Sequence, residues 1–241
     1  MQDEQSTQQW KDLGSPLVPA VKVGSYVGTI LHVSQLFSLL GLAMPAEFDE
    51  RRFAWDIETM LETWLRLVQS LSWDAFIMPT PARSRSTRDL VGDVFEKIAE
   101  GPRARNEGDY RLTIDTEHIA QRLQSTTDAV RYMEGHIADW QAFLMEHYDA
   151  QTSDAGPDVM VWEQGSGRDK SNGKPWPFSI VLGFLRNHTA MHLKQVTTAL
   201  DRAGIEHPSD GLDAFKGLHL PADVYGTNAA EMGRLDHVRL V

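Results

Sequence analysis

The chain has 241 residues, 41% of them apolar and 24% charged, which is enough apolar material to bury a core and too much for a disordered chain. A net charge of −11 argues against a nucleic-acid or anionic-membrane surface, and the absence of any cysteine excludes disulfides, thiolate nucleophiles, iron–sulfur clusters and cysteine-held zinc. The first ten residues carry neither a basic start nor an apolar run, and no apolar stretch is long enough for a membrane span, so a cytoplasmic protein is expected.

Residues 15–42 read as a short strand, a turn at Gly24-Ser25, a second short strand and a brief apolar helix ended by Gly41. This ββα unit, opened by Val18-Pro19, resembles the second half of the glutaredoxin and thioredoxin-like fold; the half that carries the redox Cys-x-x-C has no counterpart here. The resemblance implies a cis Pro19 whose loop holds a thiol peptide, typically glutathione. On the residues alone the unit reads as a structural hairpin packed on the main domain.

Helical periodicity begins after Pro45. Phe53, Ile57, Met60, Leu61, Trp64, Leu67, Val68 and Leu71 form one continuous stripe, predicting a long helix that ends near Trp73. Prolines at 79 and 81 break the pattern, and the Ser86-Thr87 pair suits a cap, so a second helix is expected over 87–100 with Leu90, Val94, Phe95 and Ile98 inside and Asp93 at the stripe's edge. Gly101-Pro102 is expected to stop it. A third helix is expected from about Asp115 to Tyr148, with His118, His136 and His147 along one margin and His136 close enough to the interior to serve as a substitute ligand. Residues 151–176 are polar and rich in glycine, longer than an ordinary connection, and read as a loop poised to cover a site, with Trp162, Lys174 and Trp176 available to a ligand. The tail from His207 reads as an extended wrap or a subunit contact. The only sheet expected is the N-terminal hairpin.

The fourth helix, 178–203, has its apolar stripe at Phe178, Val181, Leu182, Leu185, Val196, Ala199 and Leu200, and His188 and His192 fall inside it. Histidines four apart project one turn apart from the same face, the spacing that lets two imidazoles meet one metal ion. Thr189 stands where a zinc-protease helix places its Glu, so that explanation is removed. Three regions follow: an appendage over 1–44, a four-helix region over 45–205 and an extension over 206–241. The expected fold is mainly α, an antiparallel four-helix bundle with a small ββα appendage.

Two segments, ARSRSTRDLVGDVFEKI (82–98) and NHTAMHLKQV (187–196), resemble the DinB-like family of metal-binding four-helix bundles, with the resemblance running over about 46–205. The family's metal is held by a second-helix histidine and two ligands a turn apart on the last helix. His188 and His192 match the pair, whereas Asp93 stands in the place of the second-helix histidine. Either Asp93 completes a two-His, one-carboxylate triad, suited to zinc, iron, manganese or nickel, or the third ligand is lost. The resemblance implies a dimeric, metal-dependent thiol transferase or isomerase acting on a small molecule with a low-molecular-weight thiol such as glutathione. Metal-assisted hydrolysis, or a non-catalytic binding module, are the alternatives. Arg83, Arg85 and Arg88 are placed to bind carboxylates of such a molecule, although a solvated basic loop reads equally well, and His136 is the first candidate for shuttling a proton.

Overall fold

The computed structural model describes residues 20–24, 26–43, 45, 48–80, 85–111, 116–149, 156–162, 174–208 and 218. Strands β1 (Ala20–Val23) and β2 (Tyr26–Thr29) pair antiparallel with Val23 opposite Tyr26. So tight a reversal calls for left-handed backbone, which Gly24 supplies at φ 57°. Helix α1 (Ser34–Leu39) completes the expected ββα unit.

The first long helix, α2 (Glu50–Ser70), starts where the Asp49 side chain accepts the Arg51 backbone N–H at 2.8 Å. Its predicted stripe is buried, and it is followed by the single turn α3 (Trp73–Ile77). Helix α4 (Thr87–Glu107) opens on a reciprocal cap between Ser86 and Asp89. The expected stop at Gly101-Pro102 does not occur; α4 continues to Gly108, whose backbone at φ 75° returns its N–H to the Ala104 carbonyl at 2.9 Å. Pro102 removes one helical donor, but packing holds that turn from outside. Gly101 sits so close to the next helices that a Cβ would come within 2.9 Å of Leu185 and 3.2 Å of Trp140.

The single helix expected over 115–148 is two, α5 (Glu117–Arg122) and α6 (Thr126–His147). Ser125 divides them because its hydroxyl caps α6, accepting the Asp128 N–H at 3.0 Å and donating to the Asp128 carboxylate at 2.7 Å. The last helix is α7 (Phe178–Arg202), within a residue of expectation.

A second sheet corrects the expectation of one hairpin and of an unbroken loop over 151–176. Strands β3 (Asp109–Arg111), β4 (Asp158–Trp162) and β5 (Lys174–Pro177) assemble with β3 parallel to β4 and β4 antiparallel to β5. Val159 and Val161 alternate inward, which a period of two allows and a polar loop would not use. The remainder of that connection, and almost all of the chain after 208, lie outside the described residues.

Helices α2, α4, α6 and α7 pack as a four-helix bundle in which α2 and α4 each contact both α6 and α7. Neighbours differ in direction. Ala54 meets Trp140 and Glu50 meets Tyr148, so α2 and α6 are antiparallel; Asp93 meets His188 and Gly101 meets Leu185, so α4 and α7 are antiparallel too. Phe53 and Asp56 meet Arg186 while Trp64 meets Thr189, so α2 and α7 run the same way. Phe95 meets Tyr132 and Gly101 meets Trp140, so α4 and α6 do as well. Among consecutive bundle helices only α4 and α6 run parallel, and a parallel step needs a connection that travels the length of the bundle; this is why the link after α4 is long enough to hold β3 and α5.

The appendage is seated by His32, whose ring lies over Gly183 of α7 where a Cβ would come within 2.7 Å of it, and edge-on to Phe48 and Phe53. Burial, together with the Arg186 charge, pushes the His32 imidazole down to about 4 from an ordinary 6.5. Between those values the unfolded chain takes up a proton that the folded chain refuses. Stability therefore falls as pH drops from about 6.5 to about 4, by up to about 3 kcal/mol. Urea midpoints at pH 7.5 and 4.5 will show that loss, and His32→Gln will remove this share of it; an equal loss in both proteins would mean that His32 is already protonated when folded.

Candidate metal centre

The reciprocal cap at Ser86 fixes where α4 begins, and Asp93 follows two turns later on the side that faces α7. His188 Nε2 lies 3.5 Å and His192 Nε2 3.3 Å from Asp93 Oδ2, and one ligand atom from each of the three residues lies within 4.8 Å of the others. Four-coordinate zinc, with bonds of about 2.0–2.2 Å, separates neighbouring ligand atoms by about 3.3–3.6 Å. Both separations to the carboxylate fall in that range. Asp93 and His192 are buried, and the His188 ring is stacked on Phe184 with centroids at 5.5 Å.

Hydrogen bonds orient one imidazole. Gln195 Nε2 donates to Thr80 Oγ1 at 3.0 Å, which leaves Gln195 Oε1 to accept the Nδ1–H of His192 at 2.9 Å. The ring is thereby held through Nδ1 with Nε2 turned toward Asp93. Burial, with the neighbouring His192 charge, pushes the His188 imidazole down to about 3 against the pull of Asp93, so it is neutral at neutral pH. Its Nε2 is buried without a hydrogen-bond partner among the described residues. Burial works to raise the Asp93 carboxyl, but the contacts with His188 and His192 and the Lys97 ammonium prevail and hold it well below the usual carboxylate range. An ionised carboxylate, an imidazole nitrogen turned toward it and an orphaned buried nitrogen make a donor set that a divalent ion satisfies.

Removing the group that orients His192 tests this arrangement. Gln195→Leu keeps the volume and loses the acceptor, and we expect divalent-metal affinity to fall by about 10- to 100-fold, read by competition against a chromophoric chelator. Unchanged affinity would show that packing alone aims the ring.

Arg85 reaches the triad, its guanidinium 2.9 Å from Asp93 Oδ2. Arg88 lies half-buried in the first turn of α4, its Nε without a hydrogen-bond partner among the described residues. Trp176 is buried in the core from β5. Trp162 and Lys174 occupy strands β4 and β5, and Arg83 and Pro19 lie outside the described residues. His136 is not brought to the triad; it packs on Tyr132 and Phe95 with centroids at 4.5 Å and 6.2 Å, and burial lowers its basicity. A surface hollow of about 260 Å³ lined by Ile119, Arg122, Leu123, Asp128, Arg131 and Tyr132 contains none of the triad either.

Two residues at the site went unread in the sequence. Lys97 is buried with its ammonium 2.8 Å from Asp93 Oδ1, and Tyr110 of β3 is fully buried with its ring edge toward Phe184 and its hydroxyl without a hydrogen-bond partner among the described residues. The Asp-x-x-x-Lys spacing was a local signal for the first. Nothing local signalled the second, because a strand pairing between residues 109–111 and 160–162 places it.

No family model, curated protein or solved structure matches the chain. What the molecule itself defines is a mainly helical protein with a buried Asp/His/His triad able to hold a metal ion, and no described helix is long and apolar enough to cross a membrane.

Proposed function

We propose that the protein is a metal-dependent enzyme of the thiol transferase or isomerase type, with one divalent ion, zinc being the best fit, held by Asp93, His188 and His192. The observation that carries the reading is the convergence of a carboxylate oxygen and two imidazole nitrogens at zinc-like separations, one of the nitrogens an orphan. Three protein ligands leave a coordination position open, the arrangement of catalytic sites. An ion bound there supplies positive charge that lowers the pKa of a thiol or water at the open position.

The chain's own residues supply the rest. Gln195 orients the His192 ring, Phe184 shields one face of His188, and burial excludes bulk water. The chain has no thiol, so a thiol reaction here needs a diffusible one. Glutathione or a related thiol is supported by the likeness of the 82–98 and 187–196 segments to DinB-like proteins and of the ββα unit to thiol-binding folds.

The test is to load the protein with zinc and incubate it with glutathione, mycothiol or bacillithiol and a panel of activated alkenes and halides, following conjugates by mass spectrometry. Conjugates that require both metal and thiol are expected. Turnover that persists without thiol would instead assign a metal-assisted hydrolase, and zinc retention with neither turnover nor thiol binding would assign a non-catalytic module.

A further inference from the structure

Asp93 is engaged on both oxygens before any ion arrives. Lys97 Nζ lies 2.8 Å from Oδ1, and the Arg85 guanidinium lies 2.9 Å from Oδ2. Lys97 is buried and shows no ion pair with any other described acidic residue, nor does Arg85, so one carboxylate serves two cations. Asp93, Lys97 and Arg85 together carry one net positive charge, and a divalent ion would bring that to three. Buried positive charge of that size is costly unless an opposite charge joins it.

A second observation points to an incoming acceptor. The Tyr110 hydroxyl is fully buried without a hydrogen-bond partner among the described residues, and its ring lies 6.1 Å from Phe184, the residue stacked on His188. Burial raises its pKa well above the ordinary phenol value, with the charges of Glu100 and Asp93 acting in the same sense, so it stays a proton donor. It is a buried donor with no acceptor among the described residues.

Resting on the metal reading above, we propose that Lys97 and Arg85 form an anion subsite next to the ion, with the Tyr110 hydroxyl a further donor to it, and that the molecule the site takes presents a carboxylate there. Guanidinium and ammonium donors bind carboxylates through charge-assisted hydrogen bonds. Metal and carboxylate then bind cooperatively, each offsetting the charge the other leaves exposed, and the coupling is reciprocal. Lys97 thus acts against the ion when the subsite is empty and for it when an anion is present.

The experiment is calorimetric titration of metal-free protein with zinc in a chloride-free buffer, with and without acetate, for the wild type, Lys97→Met and Arg85→Gln. Acetate is expected to tighten zinc binding to the wild type by about tenfold or more, within the range usual for coupled sites. Because acetate also complexes zinc weakly in solution, a merely competitive effect has the opposite sign. Lys97→Met is expected to bind zinc more tightly than the wild type in the absence of acetate and to lose most of the acetate enhancement; Arg85→Gln, at a less buried position, should lose part of it. Zinc affinity in the wild type that is indifferent to acetate, or weaker zinc binding in both variants without acetate, would overturn the subsite. Failure of zinc to bind the wild type at all would remove the metal reading alone, and acetate titrated into the metal-free protein would then decide the subsite by binding or not binding in a Lys97-dependent way.

Discussion

His188→Ala protein, purified without chelator, loaded with zinc and dialysed, will retain none of the one-per-chain metal that the wild type keeps. The loss follows from geometry. Only three side chains among the described residues converge, and removing one leaves two ligands spread over α4 and α7, with no reserve histidine because His136 is turned toward Tyr132 and Phe95. Groups that merely orient a ligand are worth about 10- to 100-fold in affinity, so a ligand itself should cost at least about a hundredfold, on the order of 3 kcal/mol. His188 is the cleaner choice than Asp93. Asp93→Ala would strand two cations, Lys97 and Arg85, against a buried surface, and metal loss there would be mixed with damage to the fold. Retention of stoichiometric zinc by a folded His188→Ala protein, with cobalt spectra unchanged from the wild type, would mean the triad is not the ligand set.

Trp140→Ala will cost about 3–5 kcal/mol of stability, the largest effect we expect from any single core truncation here. Trp140 lies at the centre of the bundle, 1% exposed, with its indole N–H donating to the Ala54 carbonyl at 3.2 Å and its ring filling the space that Gly101 leaves on α4. Truncation opens a cavity among three helices and leaves the α2 carbonyl without that donor. In a chain of this size the melting temperature should fall by on the order of 10 °C, read by circular dichroism at 222 nm. Trp140→Phe should recover much of the packing while still losing the hydrogen bond. A shift below about 2 °C for Trp140→Ala would show that the helices close over the gap, contrary to the close contact at Gly101.

The stripe of α2, the boundaries of α7 and the shared face of His188 and His192 were all readable, because a helical period is a local property that a few turns of sequence state in full. The cap at Ser86 was readable for the same reason. The break at Ser125 was written in equally local chemistry, a capping serine with an aspartate three residues on, but a strong apolar period on both sides masked it. The mixed sheet had no such local signature, since β3 finds its partner some fifty residues away and strands of three to five residues carry little pattern.

The sequence by itself determined that a helix would present two histidines to the interior and that cysteine chemistry was absent. Only the tertiary structure decided that Asp93 would meet them, because the position of a carboxylate at the edge of an α4 stripe leaves open which neighbouring helix that edge faces. Packing of Gly101 against Leu185 and Trp140 fixes the rotation and height of α4 against α7. That contact carries Asp93 to 3.3 Å from His192 and brings Lys97, one turn on, into the same buried cluster. Periodicity assigns a residue to a face, whereas the close approach of two backbones, set by which side chains are small, assigns that face to a partner.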